Sequence, residues 1–296
     1  MNKKLIFILL SGLLVFLISC SKKDDFNGTI KVFDAPDLEG NSPVQLKVKN
    51  MYETYNVLFK PSFKLEEYTW NWNSSIKQTA ANVVGLRYTP AKENYVVPVI
   101  DSIENWVFKV FPPEFSKKYM PLNILLTDTL ENKFNFIQII HRIYEGNIAA
   151  NYILVSYVSE RFDLVKEKRL LPESWLSLFV EKMLITRLPA PVEFSKVSTA
   201  GYAKLTFTNA EDVMKNFALL KKGRTKQNSG LPTAAWTRVS IEQDFGDYVA
   251  FIVYTPETEK QLAYAKNPDI LKKVNLVKSY FRENFQIELP YLPKSN

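Results

Sequence analysis

The stretch 172–185 is apolar on nearly all sides, which predicts a helix buried in the core. Its hydrophobic residues are Trp175, Leu176, Leu178, Phe179, Val180, Met183, Leu184 and Ile185. Pro172 suits the first helical turn, where its missing N–H is not needed. The segment Leu188–Pro191 contains two prolines, and neither can continue the helical hydrogen bonds. We therefore expect the helix to end there and to be followed by an extended segment through Ser198.

Apolar residues recur at helical spacing in four further stretches. These predicted helices are Val97–Phe111, Asn209–Leu220, Ser240–Tyr254 and Pro268–Phe285. Asn209 is placed to cap the second of them.

Alternating apolar positions predict strands between Val48 and Tyr88. Further predicted strands are Leu122–Leu130, Phe134–Tyr144 and Tyr152–Val158. Tyr68, Trp70 and Trp72 would share one face of a strand, either as the inner face of a sheet or as a platform for stacking sugars. A mixed sheet followed by long helices indicates an α+β fold, in one domain over residues 46–296.

The N-terminus has the pattern of a bacterial lipoprotein. Lys3 and Lys4 precede an apolar run, which ends in a lipobox at Leu17–Cys20. The run is shorter than the roughly 20 residues of a membrane span. We expect residues 1–19 to be a cleaved signal peptide and Cys20 to carry the lipid. Residues 20–45 would then form the lipidated cysteine and a flexible tether.

Charge and composition exclude several function classes. The chain carries +7, or +5 without residues 1–19, and its densest basic cluster is Lys221–Lys226. This cluster has no interleaved aromatic residues, so a nucleic-acid partner is not predicted. Only 9 glycines are present, and no phosphate-binding or dinucleotide-binding motif occurs. His141 is the only histidine and lies in a predicted strand without a nucleophile motif around it, so no catalytic residue and no cofactor are predicted.

Three segments resemble a known family. Pro189–Ser198 resembles the exit that follows the HExxH helix of zinc-binding metallopeptidases among Bacteroidota lipoproteins. Gln243–Asp247 resembles the family's acidic second helix, and Lys272–Phe281 its C-terminal helix. The resemblance covers most of residues 50–292 and implies a zincin-like fold.

The same resemblance implies that the metal site has been lost. With the exits in register, the HExxH positions fall on Leu178–Lys182, so that Leu178 and Lys182 replace the histidines and Phe179 replaces the general-base glutamate. The family's third ligand, an acidic residue, matches Gln243, Asp244 or Asp247. An HExxH site needs two histidines and this chain has one, so no metal is predicted. A calcium site at Asp244 and Asp247 is conceivable, but no ligand loop supports it.

These observations predict a non-catalytic relative of the metallopeptidases, that is, a pseudoenzyme. Lys23-Asp24-Asp25 resembles the export signal of surface lipoproteins, which implies an outer-membrane protein exposed on the cell surface. Because the family's lipoproteins resemble the partners of outer-membrane nutrient importers in their location, this location implies that the protein binds an outer-membrane complex of the SusC/SusD type. Its ligand would be a peptide or a glycan. The alternative is a hydrolase, acting on peptides or glycans, with an unrecognised site. A buried Lys182 would also need a charge partner, and we expect Asp244 or, failing that, Asp247 to pair with it. The alternative is that the Lys182 side chain extends to solvent and that Asp244 lies on an exposed helix face.

Overall fold

A computed structural model describes residues 38–64, 86–134, 137–140, 152–162, 171–204, 210–220 and 239–293. The chain divides into two compact units, Met1–Glu39 and Gly40–Asn296, and the fold below is that of the second unit. Within the described ranges, no helix combines the length and the apolar character needed to cross a bilayer.

The described elements follow one another as a helix, a sheet with inserted helices, and then a series of helices. The helices are α1 (Pro43–Tyr55), α2 (Glu93–Trp106), α3 (Pro113–Tyr119), α4 (Leu171–Thr186), α5 (Val192–Val197), α6 (Thr199–Ala203), α7 (Ala210–Phe217), α8 (Ile241–Tyr254), α9 (Glu257–Lys266) and α10 (Pro268–Phe285). The strands are β1 (Leu58–Lys60), β2 (Leu86–Pro90), β3 (Asn123–Phe134), β4 (Ile137–Ile140) and β5 (Tyr152–Val155).

The strand β3 is the centre of the mixed sheet. Its first half pairs in parallel with β1 and β5, in the register Ile124↔Phe59 and Ile124↔Ile153. Its second half pairs antiparallel with β2 and β4. The described sheet is small beside the helices, and with them it confirms the predicted α+β class.

The buried helix predicted around Pro172 is confirmed as α4, and α8 packs along it. Trp175 lies in the core, with its ring centroid 5.4 Å from that of Trp106 and 6.2 Å from that of Phe162. These contacts fix α4 against α2 and against the segment that follows β5. The helix α10 has the predicted bounds, and it begins where the Asn267 side chain accepts the backbone N–H of Asp269.

Two sequence-based expectations were wrong. Alternation predicted strands from Val48 onwards, but this region begins with α1. Ser42 and Gln45 form a reciprocal capping box there, with hydrogen bonds of 3.2 and 3.1 Å, and this local signal favours a helix. The segment after Pro189 is not extended throughout, because the chain turns back into α5 and α6. A proline ends a helix but can also stand at the start of the next one, as Pro191 does at the N-cap of α5.

Candidate functional site

The site predicted from the sequence lies where α4 and α8 cross. Gly246 of α8 faces Ser177 of α4, and a Cβ atom added at Gly246 would lie 2.4 Å from the Ser177 carbonyl oxygen. The backbones therefore approach so closely that only glycine fits at this position. This contact brings Asp247 of α8 beside Ser177 of α4.

The three α4 positions matched to the HExxH motif are all buried. Phe179 is fully enclosed, and its ring packs edge-on against Phe108 with the centroids 5.9 Å apart. Leu178 is a hydrophobic core residue, and Lys182 is 3% exposed. Two of these side chains are thus packing groups, and none of the three is a His, Cys, Asp or Glu of the kind that binds zinc.

The two aspartates of α8 have separate hydrogen-bond partners. The Asp247 carboxylate accepts the Ser177 hydroxyl at 2.5 Å, which links α8 to α4. The Asp244 carboxylate is 1% exposed and forms an ion pair with the ammonium of Lys273 on α10. The same oxygen of Asp244 accepts the Tyr202 hydroxyl at 2.6 Å. Asp244 is therefore tied to two other helices.

The expected Lys182–Asp244 pair is wrong, because the cation on Asp244 is Lys273. Both lysines are buried, but they lie on different helices. Lys273 has 0% side-chain exposure and follows Ile270 by three positions on the apolar side of α10, which directs it into the core. A buried acid pairs with the cation that the packing brings to it, and here the third helix supplies it.

Burial shifts the pKa values of this cluster. It raises the pKa of Asp244 to about 6, although Lys273 and the hydrogen bonds oppose the shift. Burial also lowers the pKa of Lys273, against the attraction of Asp244. The attraction between Asp244 and Lys273 opposes both shifts and so favours the charged form of each group.

The residues at this site do not fit a zinc ion. Across the part of the chain that the structure describes, no three His, Cys, Asp or Glu side chains come together as a metal-binding group. The Asp244 oxygen that would bind a metal already faces an ammonium. Calcium fits no better, since it takes six to eight oxygen ligands. The residues around Asp244 are therefore not a metal-binding set.

Comparison with known proteins identifies the family of the chain. Residues 49–290 match the family model described as "Putative zinc-binding metallo-peptidase". The chain belongs to this family. A crystal structure of a putative zinc-binding metallo-peptidase from Bacteroides caccae is similar, with 15% sequence identity and a TM-score of 0.49, over 85% of this chain and 90% of that one. No curated protein matches the chain.

Several sequence-predicted positions lie outside the described residues. They are Cys20, the aromatic row Tyr68, Trp70 and Trp72, His141, Asn209 and the basic cluster Lys221–Lys226. Those assignments stay predictions. The buried partners of Asp244, by contrast, were missed by the sequence reasoning, although the 270–273–274–277 spacing of α10 places Lys273 beside its apolar stripe.

The burial of Lys182 should make the stability of the protein depend on pH. Burial lowers the pKa of Lys182 from 10.5 to about 8, with a partial offset from Glu181. The unfolded chain therefore binds more protons than the folded protein between pH 8 and 10.5. Stability should rise with pH across that window, by about 2 kcal/mol relative to Lys182→Met.

The contribution of Lys182 is the difference in unfolding free energy between wild type and Lys182→Met. The two proteins share all their other titrating groups, so the pH dependence of this difference reports on Lys182. Urea titrations at neutral pH, pH 9 and pH 10.5 would measure it, with Lys272→Met as the control for losing an exposed lysine. Parallel pH profiles for wild type and Lys182→Met would show that the Lys182 amine is solvated in the folded protein.

Proposed function

We propose that this protein is a non-catalytic member of the metallopeptidase family that acts at the cell surface as a lipid-anchored binding or accessory subunit. The observation that carries the proposal is the Asp244–Lys273 ion pair. A metallopeptidase of this type needs a carboxylate and histidines directed at an open metal position. Here a carboxylate matched to the third ligand is neutralised from within the protein, and the chain has a single histidine.

The sequence at the N-terminus supports the location in this proposal. A lipobox ending in Cys20 and the Lys23-Asp24-Asp25 run favour a lipoprotein exported to the outer face of the outer membrane. In that setting we propose an outer-membrane complex of the SusC/SusD type as partner, with a peptide or a glycan as ligand. Affinity capture from detergent-solubilised outer membranes, followed by mass spectrometry, would identify the partner.

Cys20→Ala is expected to release the protein from the membrane fraction. The lipids on the cysteine would be the main attachment, since each buried methylene contributes about 0.8 kcal/mol to membrane binding. Fractionation of cells in high salt would measure the change, with Ser19→Ala as a variant that keeps the thiol. A Cys20→Ala protein that stays in the membrane pellet would overturn the lipid-anchor proposal.

The alternative to a binding role is a hydrolase with an unrecognised site. Purified protein should leave casein and oligosaccharide mixtures unchanged, with or without a chelator. Turnover that a chelator abolishes would contradict the non-catalytic proposal. Turnover that resists chelation would instead establish the metal-free hydrolase.

A further inference from the structure

The ammonium of Lys273 lies inside a closed set of oxygen acceptors. It donates to the Ser198 hydroxyl at 2.9 Å, the Ala218 carbonyl at 3.2 Å and the Tyr202 hydroxyl at 3.3 Å, in addition to Asp244. An ammonium has three hydrogens, so four acceptors satisfy all of them. The hydroxyls are themselves oriented, because Ser198 donates to the Phe217 carbonyl at 2.7 Å and Tyr202 donates to Asp244.

Three aromatic rings complete the walls around the same nitrogen. The Lys273 nitrogen lies 4.4 Å from the ring centroid of Phe194, 4.6 Å from that of Tyr248 and 5.5 Å from that of Tyr202. Aromatic faces attract cations within about 6 Å, and more strongly where water is excluded. The Tyr248 hydroxyl donates to the Ala218 carbonyl at 2.7 Å, which holds this ring in place.

We propose that these residues form an alkylammonium-binding site that the protein fills with its own lysine. The site is made of Phe194, Ser198, Tyr202, Ala218, Asp244 and Tyr248, and we call it the ammonium cage. Its ligand class is a primary ammonium on a short alkyl chain. Lys273 of α10 thereby joins α5, α6, the end of α7 and α8 through one charge, and it binds these helices together without a metal ion.

The composition of the cage favours an ammonium over a divalent metal. A single carboxylate leaves a monovalent cation neutralised, whereas a divalent ion would keep a net positive charge in the core. Zinc takes nitrogen, sulfur and carboxylate ligands, while most of this wall consists of aromatic faces and neutral oxygens. The three diverging hydrogens of an ammonium match a carboxylate, a hydroxyl and a carbonyl at hydrogen-bond distance.

Truncating the Lys273 side chain should leave the ammonium cage empty, so that an added alkylammonium ion can bind there. Lys273→Ala deletes three methylenes and the ammonium, which together correspond to propylammonium. We expect the variant to melt at least about 6 °C below wild type, since an uncompensated buried charge remains. Refolding in millimolar propylammonium should recover several degrees in the variant and change wild type little, because only the variant has a vacant cage.

Two control additives test whether the melting temperature recovers because of the charge, the alkyl chain or a bound metal. Propan-1-ol has the shape of propylammonium without its charge, and zinc chloride supplies the metal without an alkyl chain. Neither is expected to restore the melting temperature of Lys273→Ala. Equal recovery by propan-1-ol, recovery by zinc alone, or no recovery by any additive would overturn the ammonium cage. Lys272→Ala, on the exposed side of the same helix, should melt like wild type and respond to none of them.

A second set of variants covers the case in which Lys273→Ala does not fold. Lys273→Met keeps most of the alkyl stem, and Asp244→Asn removes the opposite charge with little change in shape. Each single variant should lose at least about 6 °C, and the double variant should lose less than the sum, because neither charge is then left alone. Losses that simply add would show that the pair does not couple and would also overturn the proposal.

Discussion

Phe179→Glu is expected to destabilise the protein by at least about 5 kcal/mol, or to prevent folding. The substitution restores the glutamate of the HExxH motif at its matched position. Phe179 is fully buried and packs against Phe108. Deleting a buried phenylalanine costs about 3–5 kcal/mol, and the new carboxylate would also lose its hydration. The unfolding free energy from urea titration would measure the loss.

A substitution by a smaller apolar residue provides the control. Phe179→Leu keeps an apolar side chain at the same place and should cost less than Phe179→Glu by several kcal/mol. The comparison separates the loss of ring packing from the burial of a charge. If Phe179→Glu were nearly as stable as Phe179→Leu, the position would be open to water, and the motif positions would retain room for a polar site.

Gly246→Ala is expected to destabilise the protein by about 2–4 kcal/mol, although alanine is the better helix former. The added Cβ would lie 2.4 Å from the Ser177 carbonyl oxygen, which belongs to a backbone. A backbone atom cannot turn aside as a flexible side chain does, so α4 and α8 must separate. The higher helix propensity of alanine over glycine offsets only about 1 kcal/mol of this loss. The separation should also weaken the Ser177–Asp247 hydrogen bond.

Gly201→Ala is the matched comparison, since it makes the same change in α6. The nearest atoms to its added Cβ are side-chain atoms of Leu219 and Phe217, both at 3.0 Å. The Leu219 atom is a terminal methyl that can move aside, and the contact with the Phe217 Cβ requires a shift of only a few tenths of an ångström, so the loss should be less than about half of that at Gly246. Equal losses at the two positions would contradict the account of a backbone contact between α4 and α8.

The long buried helices could be predicted from the sequence because their apolar patterns are strong. α10 was predicted with its observed bounds, since Asn267 and Pro268 give a clear start and Phe285 ends the pattern. α8 was predicted within one residue, as Ser240–Tyr254, and the structure shows that Ser240 is its N-cap. Continuous hydrophobic runs and caps are local signals, so they require no knowledge of the tertiary structure.

Shorter elements and long-range pairings could not be obtained in this way. α1 was read as strand because Val48 and its neighbours alternate, although the capping box at Ser42 marked a helix. α5 and α6 are too short to show a periodic pattern. In the sequence, Lys182 and Lys273 both stand among the apolar residues of a helix, and only the packing of α10 on α8 decides which of them meets Asp244.

The zinc content of the purified full-length protein, prepared without an affinity tag, tests the central claim most directly. Elemental analysis should be followed by calorimetric titration with zinc after chelation and buffer exchange. Because Asp244 is paired with Lys273 and the chain has one histidine, we predict well below one zinc ion per chain and no saturable tight binding. About one zinc ion per chain, removed by the chelator and regained on titration, would contradict the loss of the metal site.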